Sequence, residues 1–156
     1  DVSALGYAPG INPDLKDDEN IFKTDEKMLE LALTAAKRAE LSIKVFTGRV
    51  VSGDQFISSK DKKKWLIETF DGTCAEMEGA SIGHVASLNK IPYLVVRAIS
   101  DKADDSAEMD YPSFAAMAID NSVALMTEFV KYVKRRQLKN YGKDKKFSDQ
   151  SFIIKS

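Results

Sequence analysis

Apolar residues along this chain follow two periods, and the points where each period starts and stops predict most of its elements. Met28, Leu31, Ala32, Ala35 and Ala39 recur at helical spacing behind Thr24, a capping residue, and the acidic pair Asp25 and Glu26. Together they predict an amphipathic helix from Thr24 to about Ala39. The stretch 42–52 is β-branched and apolar and is broken by Gly53 and Asp54, which predicts a strand ending in a turn. Ser59 is placed to cap a helix running to about Thr69, Asp71 and Gly72 turn the chain, and residues 73–77 read as a short strand. A helix over 78–89 stops at Lys90, because Pro92 cannot continue it. Residues 93–100 carry Leu94, Val95, Val96, Ala98 and Ile99 with almost no polar alternation, the pattern of a strand covered on both faces in a central parallel sheet. Pro112 suits the first turn of a long last helix, 112–136, with an apolar stripe that includes Phe114, Met117, Ala118, Val123, Leu125, Met126 and Phe129. Strands alternating with helices make this a layered α/β domain.

The ends are less regular. Residues 2–5 read as the end of a strand, and 6–23, with Pro9, Gly10 and Pro13, as a long loop of the kind that often carries function. Residues 137–156 lack helical periodicity and read as a basic tail, although Phe147, Phe152, Ile153 and Ile154 are apolar enough to dock on a neighbour.

Composition changes this picture little, and charge somewhat more. The 156 residues suffice for one domain with a real core, and 44% hydrophobic with 30% charged residues is ordinary for a globular chain. No apolar run approaches the roughly 20 residues of a membrane span, and no signal peptide opens the chain, which starts as a fragment would. A single cysteine, Cys74, excludes an internal disulfide and favours a reducing compartment, read here as the cytoplasm. The net charge of −1 conceals a basic segment from 131 onward, with nine Lys or Arg against two Asp. Aromatics are sparse there and no nucleic-acid motif accompanies it, so it reads as a solvated helix end and tail rather than a nucleic-acid arm. The remaining acidic body favours an uncharged nucleoside over a nucleotide. Asp54 stands where a phosphate loop would need its lysine, and His84 and Cys74 have no partners at zinc spacing, so neither a phosphate loop nor a metal is expected. His84 reads as a packed or partly exposed helix residue and Cys74 as a small buried one.

The candidate chemistry lies in two acidic sites at the ends of apolar strands. Glu76 and Glu78 flank Met77 where a strand gives way to a helix, and Asp101 follows the strand 93–100. Carboxyl ends of strands in an open sheet form the ligand crevice, so both sites are expected to face one pocket. Glu76 and Glu78 also suit a helix start, where acids meet the dipole, and Asp101 a cap or turn, and both readings can hold together. Arg97 is unusual inside so apolar a strand, and an unpaired guanidinium there is costly, so some carboxylate must meet it.

Three blocks, Val51-Ser-Gly-Asp-Gln-Phe-Ile57, Ala75-Glu-Met-Glu-Gly79 and Arg97-Ala-Ile-Ser-Asp-Lys-Ala-Asp104, occur in the order seen in the 5′-methylthioadenosine/S-adenosylhomocysteine nucleosidases, within the purine nucleoside phosphorylase group. The chain resembles that family from its amino terminus to about Lys134. The resemblance implies a three-layer phosphorylase/hydrolase-like fold with a central mixed sheet flanked by helices, of which residues 1–136 would be the carboxyl-terminal part. It implies hydrolysis of the adenine–ribose bond without metal or organic cofactor. By the same resemblance Asp101 is the general acid that protonates adenine N7, with its pKa raised in the bound complex, and Glu78 accepts from the ribose hydroxyls. Met77 would pack on the sugar face with Glu76 beside it, Phe56 would stack on the base, and the backbone of Ile57 would bond its edge. Arg97 would meet Glu78 and a further carboxylate around the attacking water, and Tyr111 would lie on a lid spanning 102–110. Leu5, Tyr7 and Pro13 would cross a two-fold interface, which implies a homodimer.

Members of the family carry a substantial segment before the point matching Asp1, including the opening strands and the water-activating carboxylate. The expectation is therefore that this chain alone is inactive or nearly so and that an amino-terminal companion completes the sheet and the site. Two other functions fit the same motifs: a nucleoside phosphorylase that uses phosphate as nucleophile, and a non-catalytic nucleoside-binding or dimerisation module.

Overall fold

The computed structural model describes residues 6–11, 13–14, 20–99, 107–137, 147–148 and 151–155. The first element is a two-residue strand, β1 (Thr24–Asp25), paired antiparallel with β5 (Phe147–Ser148). Asp25, not Thr24, caps the helix that follows. Its carboxylate accepts from the Met28 N–H at 2.9 Å while its backbone is extended, which leaves Thr24 as a buried strand residue. Helix α1 (Glu26–Arg38) then buries Leu31, Ala32, Ala35 and Ala36 and ends with Lys37 and Arg38 near its negative pole.

Strand β2 (Lys44–Ser52) leads to helix α2 (Lys60–Phe70), which starts at Ser59 as its spacing predicts and ends at Asp71 in the left-handed region. Strand β3 (Gly72–Glu76) pairs parallel with the second half of β2, and the register shifts between Arg49 and Val50. At this shift the strands approach so closely that a Cβ on Gly48 would lie 2.2 Å from the Thr73 hydroxyl, so only glycine fits. Helix α3 (Gly79–Leu88) follows, then strand β4 (Val96–Ile99) and helix α4 (Ala107–Gln137). Helix α4 begins earlier than Pro112, which therefore lies inside it rather than in its first turn.

The four-stranded sheet has the order β3-β2-β6-β4, where β6 is Ser151–Lys155. The stretch that reads in sequence as a tail thus supplies an interior strand. Lys44 to Gly48 of β2 pair antiparallel with Lys155 to Ser151, and Val96 to Ile99 of β4 pair parallel with Phe152 to Lys155. The reason is visible in Ile153, 2% exposed: an apolar run between polar flanks fills a slot between two strands. The sheet is mixed, and β4 is an edge strand among the described residues, half-buried along its length rather than covered on both faces.

The core lies where α1 packs on α4. Leu31, Ala32, Ala35, Leu125 and Phe129 are buried together, with Val45 and Val96 of the sheet packed against them. A polar tie fixes α4 to the loop between α1 and β2. Buried Asn121 of α4 accepts from the Ser42 N–H at 3.0 Å and donates to the Ser42 hydroxyl and to the Met117 carbonyl, so its amide is satisfied on both sides.

Candidate functional site

The site is organised by one buried carboxylate. β2 ends at Ser52 directly opposite Glu76, the last residue of β3. The Ser52 hydroxyl donates to Glu76 Oε1 and accepts from the Ala80 N–H at 2.7 Å. Both Glu76 oxygens accept from the Gly79 N–H, and Oε2 also accepts from the Glu78 N–H at 3.1 Å. These are the first free N–H groups of α3, whose formal cap, Glu78, offers no side-chain bond to them. Glu76 therefore caps the helix from the strand before it. The approach is close: a Cβ on Gly79 would lie 2.8 Å from Glu76 Oε1, so any larger residue there would displace the Glu76 carboxylate from its bonds.

Arg97 closes the arrangement. Its guanidinium donates to Glu76 Oε2 at 2.6 Å and to Glu78 Oε2. The Glu76 side chain is only 6% exposed, Arg97 34% and Glu78 62%, so the cation reaches from an inward carboxylate to an outward one. Burial pushes the Glu76 carboxyl up, but the bonds from Ser52, from the Glu78 and Gly79 N–H groups and the Arg97 charge outweigh it and hold it below its ordinary value. Burial likewise lowers the Arg97 pKa, while Glu78 and Glu76 raise it by more. Both groups are thus held charged. Glu76 has its oxygens occupied by the protein, whereas Glu78 presents its carboxylate to solvent, aligned by Arg97 and able to accept from hydroxyl donors.

The other expected residues are placed unevenly. Met77, between the two acids, is 46% exposed. Phe56 and Ile57 lie in the loop that leaves β2 just after Ser52, at the same end of β2 as Glu76, with Phe56 58% exposed and Ile57 half-buried. Tyr7 and Pro13 are exposed. Leu5 and Asp101 lie outside the described residues, and Tyr111 lies within α4 in the part whose side chains are not described.

One premise of the sequence reading changes. β4 is parallel to β6 and β6 antiparallel to β2, so β4 runs opposite to β2 and β3. The carboxyl ends of β3 and β4 do not share one edge of the sheet, and it is the length of the Arg97 side chain that joins β4 to Glu76 and Glu78. Sequence reasoning found Arg97, Glu76 and Glu78 but passed over Ser52 and Gly79 as working parts. Their signal was position alone, each inside a motif next to a larger and more obviously chemical residue.

His84 stacks on Phe22 with centroids 4.9 Å apart, a packed helix residue, and Cys74 is buried. Burial pushes the Tyr93 phenol up to about 12. No helix among the described residues is long and apolar enough to cross a membrane.

Residues 3–131 match the family model described as the phosphorylase superfamily. The chain is 40% identical over 130 residues to the aminodeoxyfutalosine nucleosidase of Campylobacter jejuni, a match covering 83% of this chain and 53% of that protein. It is 36% identical over 131 residues to a 5′-methylthioadenosine/S-adenosylhomocysteine nucleosidase of Haemophilus influenzae, covering 83% and 55%. Among solved structures, the native futalosine hydrolase of Helicobacter pylori superposes with a TM-score of 0.72 at 30% identity, covering 85% of this chain and 55% of that one. The chain spans about half the length of the curated relatives it matches.

Proposed function

This chain belongs to the phosphorylase superfamily, and from that premise we propose that it forms the sugar-binding half of a nucleosidase site that hydrolyses the N-glycosidic bond of 5′-methylthioadenosine and S-adenosylhomocysteine. The observation that carries this reading is the Glu76–Arg97–Glu78 array, which holds one charged carboxylate inward and aims the other at solvent. Such a carboxylate binds a ribose diol more strongly as the sugar becomes electron-poor, so it favours the transition state over the bound substrate. In the proposed reaction the bond from ribose C1′ to adenine N9 breaks, a proton is given to N7, a role that the family resemblance alone assigns to Asp101, and water adds to C1′ and loses a proton. Phe56 and Ile57 hold the base, Met77 the sugar and Tyr111 the lid. Leu5, Tyr7 and Pro13 reach the site of a second protomer in a homodimer. The carboxylate that takes the proton from water is assigned to the part of the family domain that this match does not span.

Release of adenine from methylthioadenosine, measured with the chain alone and with the remainder of a family domain added, tests the reading. Production of ribose 1-phosphate only when phosphate is present would replace it with a phosphorylase. Binding of an adenosine analogue without turnover in the completed assembly would replace it with a binding module. A second substrate has specific support in the 40% identity to a protein named aminodeoxyfutalosine nucleosidase. The same assay with aminodeoxyfutalosine as competitor ranks the two.

A further inference from the structure

One serine links the loop that leaves β2 to the acidic end of β3. Ser52 is the last residue of β2, and the next N–H in the chain, that of Gly53, donates to the Glu76 carbonyl at 3.1 Å. The loop that begins there carries Phe56 and Ile57. The Ser52 hydroxyl itself donates to Glu76 Oε1 and accepts from the Ala80 N–H of α3 at 2.7 Å. Neither an alkyl side chain nor a carboxylate can do both.

The effect of this hydroxyl reaches beyond the atom it touches. The last torsion of a glutamate is broad and roughly two-fold, so the plane of its carboxylate has to be fixed from outside. The Gly79 N–H is shared by both Glu76 oxygens, at 2.9 and 2.8 Å, whereas Ser52 bonds Oε1 alone and so distinguishes them. With Oε1 held there, Oε2 faces the Glu78 N–H and Arg97. A single Arg97 nitrogen, Nη2, donates to Glu76 Oε2 and to Glu78 Oε2. A turn of the Glu76 carboxylate therefore moves the nitrogen that holds the Glu78 carboxylate. Glu78 is 62% exposed, so packing does little to hold it in place of that bond.

We propose that Ser52 is a positioning residue: through Glu76 and Arg97 it sets the Glu78 carboxylate at a fixed place relative to the loop that carries Phe56 and Ile57, so that sugar and base are received in register. The inference rests on the reading that Glu78 accepts from the ribose diol, and it gives Ser52 no contact with the nucleoside.

The test compares the binding of 7-deazaadenosine, whose ring lacks the N7 that would take a proton, with that of its 2′,3′-dideoxy counterpart. The two share a base and differ only in the diol, so the ratio of their affinities, measured by calorimetry, is the preference for the diol. Ser52→Ala is expected to shrink this preference by about fivefold or more, the order of a lost charge-assisted bond, and to leave affinity for the dideoxy compound within about twofold. Ser52→Thr, which keeps the hydroxyl, is expected to restore the preference. In a Glu78→Gln background, Ser52→Ala is expected to change it no further. NMR of the Arg97 side-chain nitrogens reads the same placement without a ligand: hindered rotation gives separate Nη signals in the native chain, which merge in Ser52→Ala. Circular dichroism checks that each variant folds; if Ser52→Ala does not, Ser52→Cys replaces it, with a smaller loss expected.

An undiminished preference in Ser52→Ala overturns the proposal, as does an equal loss of affinity for both compounds or a threonine variant no better than the alanine one. A native chain without any preference for the diol counts instead against the ribose reading of Glu78. The Arg97 signals then decide on Ser52, and a spectrum that Ser52→Ala leaves unchanged overturns its positioning role.

Discussion

The pair α1 and α4 and the pair α2 and α3 are helices of similar sequence quality held by different physics. Helix α1 buries four residues against α4 and the sheet, whereas α2 buries none and α3 only Gly83 and Ala86. What fixes the start of α3 is a carboxylate with four donors around it, from Ser52, Glu78, Gly79 and Arg97, making five hydrogen bonds. Apolar packing has no group to titrate and no charge to be screened, while an ionic hub is sensitive to both pH and salt. The comparison teaches that the region presenting Glu78 is positioned by directional bonds, which set an angle, rather than by packing.

Substitutions can break this contrast, beginning with the core. Leu125, fully buried, leaves a cavity when cut to alanine, and a loss of about 3–5 kcal/mol in urea unfolding is expected. The same change at exposed Val85 should stay within about 0.5 kcal/mol in the chain alone. Glu76→Ala comes next, at about 3 kcal/mol, the low end for breaking a buried pair because Arg97 is a third exposed and keeps Glu78.

The Glu76 effect has a direction in pH. Its folded pKa lies below its ordinary value of 4.5, so its contribution is complete above that value and is lost as pH falls through the folded one. Unfolding of the native chain and of Glu76→Gln, compared from pH 7 down to pH 3, should therefore converge at the acid end. A constant difference would mean that the carboxylate is not held charged by its partners.

Asn121→Ala should cost about 1–3 kcal/mol, because it leaves the Ser42 N–H without its acceptor beside the core. Ser59→Ala removes the α2 cap and should cost about 1 kcal/mol, seen as local loss of helix by amide exchange more than as a shift of the global midpoint.

Helices and local turns were legible because their signals are local. The Asp71-Gly72 turn, the cap at Ser59 and the stop near Lys90 all lie where period and breaker place them. The N-cap of α1 lies one residue later than its spacing predicts, since Thr24 and Asp25 are both capping types and it is the Asp25 carboxylate that reaches the Met28 N–H. Residues 151–155 were misread because a five-residue apolar run gives no clue to its neighbours when they lie far away in the chain. For the same reason the direction of β4 relative to β3 was not legible. It depends on the strand between β4 and β2. In the site, Arg97 was conspicuous because charge in an apolar strand is costly, whereas Ser52 looks like any strand serine until Glu76 is seen beside it.

The place of β6 has a consequence for how the sheet is assembled. It joins β2 to β4, so in its absence the sheet divides into the β2–β3 ladder and a lone β4. During synthesis, β4 and the arginine it carries must wait for residues 151–155 to leave the ribosome before the strand gains the one neighbour it has among the described residues. A protease that removed those five residues would take away the strand partner of Arg97 and leave Glu76 and Glu78 in place.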